Sequence, residues 1–74
     1  MARANLKHLL EDAEMRVQRG QFHLDRQRVS VAALEQADRD ATMAKRLLKM
    51  LEKALAIHVA DRDRLIKQRA RPPR

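Results

Sequence analysis

Seventy-four residues with a formal net charge of +7 allow one small domain at most, and a chain of this size buries a smaller share of its surface than a large one. The absence of cysteine excludes disulfides, thiolate metal sites and a cysteine nucleophile, and fits a reducing, cytoplasmic home. One Gly, two Pro, Ser30 and Thr42 leave little from which to build hairpin turns, a phosphate-cradling Gly-rich loop or a serine triad.

The remainder is rich in Ala, Leu, Arg, Lys, Glu, Gln and Met, all good helix formers, so the chain is read as all-α. Asn5 stands as the N-cap of a first helix, with Glu11, Asp12 and Glu14 toward its positive end. From Leu6 onward, apolar or small residues return at steps of four and three: Leu6, Leu10, Ala13, Val17, Gly20, Leu24, then the polar Gln27, Val31 and Leu34. This heptad seam predicts a helix over residues 5–36. Gly20 costs about 1 kcal/mol relative to Ala inside a helix. Close approach of a partner helix beside Leu55, room for Phe22 or for a second chain, and a kink are all open readings of it.

The stretch Glu35-Gln36-Ala37-Asp38-Arg39-Asp40 has Ala37 as its sole apolar residue, which places a turn at 37–40 with Asp38 or Asp40 capping the next helix. The seam resumes at Ala41, Ala44, Leu48, Leu51, Leu55, His58, Arg62 and Leu65 and predicts a second helix over 41–69. Pro72 and Pro73 forbid its continuation and leave 71–74 as a basic tail. A short polar loop makes the helices antiparallel neighbours in a single hairpin domain over 1–70. Paired positions then sum to about 75, setting Gly20 against Leu55, Val17 against His58, Leu10 against Leu65 and Leu24 against Leu51.

Flanking residues Leu47, Met50, Ala54, Ile57, Val59 and Ile66 widen the apolar stripe of the second helix beyond a two-stranded seam. A lone hairpin leaves that width in water, and short chains gain stability by oligomerising. The expected architecture is therefore an antiparallel two-helix hairpin that forms a homodimeric four-helix bundle. Its core and dimer contacts would draw on Leu10, Val17, Leu24, Val31, Leu34, Leu47, Leu48, Leu51, Leu55, His58 and Leu65.

Charge is unevenly spread. Residues 1–37 hold six bases and five acids, or +1, whereas residues 38–74 hold eleven bases and five acids, or +6. Lys45, Arg46, Lys49 and Lys53 form a strip on the second helix, and Arg64, Lys67, Arg69, Arg71 and Arg74 follow without an intervening acid after Arg64. This surface attracts polyanions, including nucleic acid, or simply solvates the chain. Phe22 is the single aromatic residue, which argues against base stacking, and both helices are too long for a DNA-reading helix-turn-helix. Asp12 with Arg16, Glu35 with Arg39 and Asp63 with Lys67 have the spacing of i to i+4 ion pairs.

Three histidines raise the question of a metal. Di-metal bundles place Glu three residues before His, but Asn5, Gly20 and Leu55 stand there before His8, His23 and His58. His8 with Glu11 or Asp12, and His58 with Asp61, have one-turn spacing suited only to a weak surface ion. His58 interrupts the seam and reads as a hydrogen-bonded polar layer near Val17 and Arg62, or else as a pH-responsive group. Neither Ser30 nor Thr42 has a base beside it. No enzyme activity, cofactor or metal site is expected. The longest hydrophobic runs, Val31 to Leu34 and Ala54 to Ile57, fall far short of the roughly 20 residues of a spanning helix, and no signal-peptide core is present. The expected partners are a second copy, another protein or nucleic acid, with no membrane.

His23, Gln27-Arg28, Leu34-Glu35, Ala44, Leu47-Leu48, Leu51, Leu55, His58 and Asp61-Arg62-Asp63-Arg64-Leu65 together resemble the pattern of small, uncharacterised alphaproteobacterial helical-hairpin proteins of rhizobial type. The resemblance spans roughly residues 8 to 66 and departs at the turn, where a Gly is expected and Ala37 stands. It implies a bacterial source and no particular activity. By architecture alone the chain is also similar to the hairpin-dimer RNA-binding protein Rop, without a sequence match.

Overall fold

The computed structural model describes residues 2–70, with side chains from Asn5 onward. Two helices, α1 (Ala2–Gln36) and α2 (Thr42–Ala70), pack along their length as an antiparallel hairpin measuring 60 × 14 × 14 Å. Helix α1 starts at Ala2 rather than at Asn5. Asn5 is therefore an interior helical residue and not an N-cap, because Ala, Arg and Ala before it favour the helix and nothing stops it there. Glu11, Asp12 and Glu14 consequently lie beyond the first turn, which holds no acid. The connection occupies 37–41 and α2 runs one residue further than expected, to Ala70. The basic tail, with Arg71 and Arg74, lies outside the described residues.

The turn satisfies the orphan carbonyls of α1 with a Schellman arrangement. The N–H of Arg39 donates to the Leu34 carbonyl at 2.9 Å and that of Asp38 to the Glu35 carbonyl at 3.1 Å. The residue this motif forces into the left-handed region is Asp38, at φ 58°. The position that favours Gly is thus Asp38 and not Ala37. Two residues on, a carboxylate oxygen of Asp40 accepts both the Thr42 N–H at 2.9 Å and the Thr42 hydroxyl at 2.6 Å. Ala41 supplies the first helical carbonyl, which accepts from the Lys45 N–H at 2.8 Å. Asp40 therefore caps α2 from one position before the helix boundary, and Asp38 serves the end of α1 instead.

The core is narrow. Leu10, Ala13, Leu24 and Val31 of α1 and Ala41 of the connection are buried, whereas α2 buries none of its residues fully. Val17 and Leu34 of α1, and Leu48, Leu51, Leu55, His58 and Leu65 of α2, are half-buried. Leu47 lies outside the intrachain seam and is exposed. Two contacts set the register. An ideal Cβ on Gly20 would lie 3.1 Å from Leu55 Cδ1, which makes close approach the reason for the glycine, while Phe22 points outward. Gln27 Nε2 donates to the Ala44 carbonyl at 3.0 Å. The cross-helix polar layer assigned to His58 is thus made by Gln27, whose longer, flexible amide reaches the facing backbone.

Two stability predictions follow from the turn. Replacing Asp38 by Gly removes the left-handed penalty of an L-residue, roughly 1–2 kcal/mol, against a glycine entropy cost of about 0.5–1 kcal/mol. Asp38→Gly should therefore raise the unfolding free energy in urea by about 0.5–1 kcal/mol. The Thr42 hydroxyl and N–H hold the Asp40 carboxyl below its ordinary pKa. A depressed folded pKa gives stability that is present above the unfolded pKa and lost as pH falls through the folded one. Helicity of the wild type should exceed that of Thr42→Val at neutral pH in partial denaturant, and the gap should close below about pH 4 as Asp40 protonates.

Candidate interaction face

Helical periodicity divides the hairpin into two faces beside the seam. On one side runs a groove between the helices with two adjoining open cavities of about 240 and 340 Å3, both bordered by His23 and Leu51. Leu47, Leu51, Ala54 and Leu55 of α2 give it an apolar floor, and Arg16, Arg19, His23 and Arg26 of α1 give it a basic rim. Met43, Met50 and Ile57 continue the apolar stripe of α2 outward, with exposures of 71%, 66% and 62%, and Leu47 shows 45%. Together with Ala54 these residues recur at steps of four and three, which is the spacing of a second heptad seam on a helix that already has one. A stripe this long is what an unpaired interface looks like on a small protein.

The opposite face carries Glu11, Glu14, Asp25, Glu35, Glu52 and Asp63 by the same periodicity, so most acids are segregated from the groove. Here Glu35 pairs with Lys45 across the turn at 3.0 Å and Asp25 with Arg28 at 3.5 Å. None of the i to i+4 ion pairs expected from spacing forms among the described residues. Glu35 is taken by Lys45, Asp63 binds the adjacent Arg62 at 3.1 Å, and Asp12 and Arg16 have no ion-pair partner.

The basic strip is dispersed. Lys45 is engaged by Glu35, Arg46 lies 4.0 Å from the Met43 sulfur, and Arg64 binds Asp61 at 2.9 Å. Lys49 and Lys53 are exposed, and Lys67 and Arg69 occupy the last turn of α2, where they complement the negative helix end. The arginines of the groove rim were not singled out by motif or charge run. Projecting charge onto the heptad would have found them, since Arg16, Arg19 and Arg26 fall on one flank of the seam with Asp12, and the other four acids of α1 fall on the opposite one. On the outer side of α1, Met15, Phe22 and Val29 are exposed, with the Arg26 guanidinium 5.6 Å from the Phe22 ring centroid and the His23 ring 5.7 Å from it edge-on.

The histidines do not converge on a metal. His8 Nδ1 lies 3.8 Å from Glu11 Oε1 at the surface, and among the described residues no group of three or more His, Asp or Glu is placed to hold an ion. No described helix is long and apolar enough to cross a membrane. Comparison with known proteins gives no match: no family model, no curated protein and no solved structure.

The Gly20 contact has a measurable consequence. Alanine there gains about 0.8–1 kcal/mol of helix propensity, and the atom it meets, Leu55 Cδ1, is the free end of a side chain bordering an open cavity. Gly20→Ala should therefore stabilise by about 0.5 kcal/mol in urea unfolding, whereas Gly20→Leu should destabilise by about 1–3 kcal/mol through overpacking.

Proposed function

We propose that this protein is a helical interaction module that works as a homodimer, its groove faces closed against each other in a four-helix bundle. The observation that carries the reading is the exposed stripe of Met43, Leu47, Met50 and Ile57 along α2. In a lone hairpin that stripe stays wet, and α2 has no fully buried residue. Burial at roughly 25 cal/mol per Å2 of apolar surface makes its coverage worth several kcal/mol. From Met43 to Ile57 the stripe runs about 21 Å at 1.5 Å per residue, along a hairpin 60 Å long.

A second reading, association with nucleic-acid phosphates, rests on the exposed Arg46, Lys49 and Lys53 together with the bases near the C-terminus. It is less favoured because the single aromatic ring is already taken by Arg26 and His23 and offers no stacking platform for bases.

Sedimentation equilibrium separates the two. The 8.6 kDa chain should sediment at twice its mass at micromolar concentration. Met50→Lys should weaken the dimer at least about tenfold, because an ammonium group would be desolvated there. Helicity should survive, since Met50 is exposed in the hairpin. A fully helical wild-type monomer that binds duplex RNA, with affinity falling steeply as salt rises, would overturn the dimer in favour of the phosphate reading.

A further inference from the structure

Two symmetric ways exist to close the groove face with a second copy, and they place different charges together. In the first, the two-fold axis lies across the hairpin, so α2 packs on the partner's α2 and the two turns lie at opposite ends. Antiparallel α2 stripes then match apolar to apolar, but Arg46 meets the partner's Lys53 on the same flank, a like-charge contact. In the second, the two-fold axis runs along the hairpin, so α1 of each copy packs antiparallel on the partner's α2 and both turns lie at one end.

Resting on the dimer reading above, we infer that the chain dimerises in this second way, α1 against the partner's α2, held in register by Arg16 with the partner's Asp61 and Asp12 with the partner's Arg64. The inference follows from the intrachain register. Gly20 lies against Leu55, so a residue of α1 stands level with the α2 residue whose number brings the sum to about 75, and a two-fold along the hairpin preserves levels. Along the groove flank of α1 stand Asp12, Arg16, Arg19, Arg26, Ser30 and Ala33. On the flank of α2 stand Arg64, Asp61, Ile57, Met50, Leu47 and Met43.

One alignment, with sums of about 76, pairs each member of the first series with its counterpart in the second. Asp12 meets an arginine and Arg16 an aspartate. The small Ser30 and Ala33 come opposite the larger Leu47 and Met43. Arg19 and Arg26 lay their methylene stems over Ile57 and Met50 and carry their guanidinium groups out to water.

The side chains are poised for this. Asp12 and Arg16 have no ion-pair partner among the described residues, although their spacing allows one with each other. Asp61 and Arg64 already hold each other at 2.9 Å, so the incoming pair extends an existing bridge into a four-member network whose ordering cost is shared. Hydrophobic coverage supplies the affinity, and the charge order selects the symmetry.

Two measurements test this on the full chain. A spin label on Arg39→Cys reports the distance between the two turns. The proposed symmetry places the labels within about 25 Å, given helix spacings of about 8–10 Å in a bundle, whereas the other places them near the full 60 Å of the hairpin. In parallel, Arg16→Asp and Asp61→Arg are each made alone and then mixed. Each should dimerise about tenfold more weakly than wild type, because both symmetry-related contacts become repulsive. Their mixture should form a heterodimer within about threefold of wild-type affinity, since one contact is native and the other is reversed and attractive. A merely structural role of either residue would not give rescue in the mixture. A dimer with widely separated labels, or one whose mixed variants show no preference for each other, would overturn the symmetry while leaving dimerisation intact. A wild-type monomer would overturn both.

Discussion

The approach of Leu55 to Gly20 is the contact on which the arrangement of everything else depends. An antiparallel hairpin has no covalent restraint on sliding beyond its five-residue turn, and heptad seams made of Leu, Val and Ala tolerate a shift of one repeat at modest cost. A side chain seated over a glycine, where a Cβ would stand only 3.1 Å from it, does not. A slide of one heptad one way would set Gln27 there and force the helices apart, and the other way would set Ala13 there, where the end of the Leu55 side chain has to move. The Gln27 bond to the Ala44 carbonyl and the Glu35 bridge to Lys45 add directional contacts between Gly20 and the turn, so the same register is specified three times along half the hairpin. Levels on the two helices are fixed as a result, and so is the order of charges presented on the groove face.

Two helices of unequal character share that register. Helix α1 contributes four of the five buried apolar residues and α2 none, although α2 has the larger supply of Leu, Ile and Met. The apolar excess of α2 is wider than one seam can hold, and its second stripe is turned toward the groove rather than toward α1. A hairpin of this size has one narrow layer of core, and small chains are marginal without a further source of burial. The unused stripe and the thin core are thus two views of the same imbalance.

Heptad spacing alone made the hairpin legible, because a repeat of three and four steps has no reading other than a helix with one apolar flank, and two such repeats separated by an acid-rich hexapeptide must fold back. The level of Gly20 with Leu55 was legible for the same reason. What could not be read were features decided by single backbone conformations. The left-handed residue is Asp38, a type only mildly tolerant of that region, and nothing in the hexapeptide marks it over Ala37 or Arg39. Asn5 has the chemistry of a cap but lies within a run of helix formers, so a local preference yields to propagation of the helix. His58 and Gln27 both interrupt the seam with a polar side chain, and it is the Gln27 amide that has the reach to bond a facing carbonyl.

Segregation of charge gives the two faces different chemical tasks. The face opposite the groove is rich in carboxylates, with Val59 and Ile66 as its larger apolar residues, and gains less from being covered. The groove face combines Met, Leu and Ile with arginines whose long stems are themselves apolar, so its charged groups can remain hydrated while their carbon chains are buried. Lysine would serve less well there, since guanidinium is the more weakly hydrated cation and forms bidentate contacts with carboxylates. All three cations on the α1 rim are arginine, the type suited to a surface that a partner covers, as proposed, and Arg28 and Arg46 stand outside the groove. On this argument the position of Arg16, Arg19 and Arg26 says more about which face meets a partner than the larger net charge of the second half of the chain.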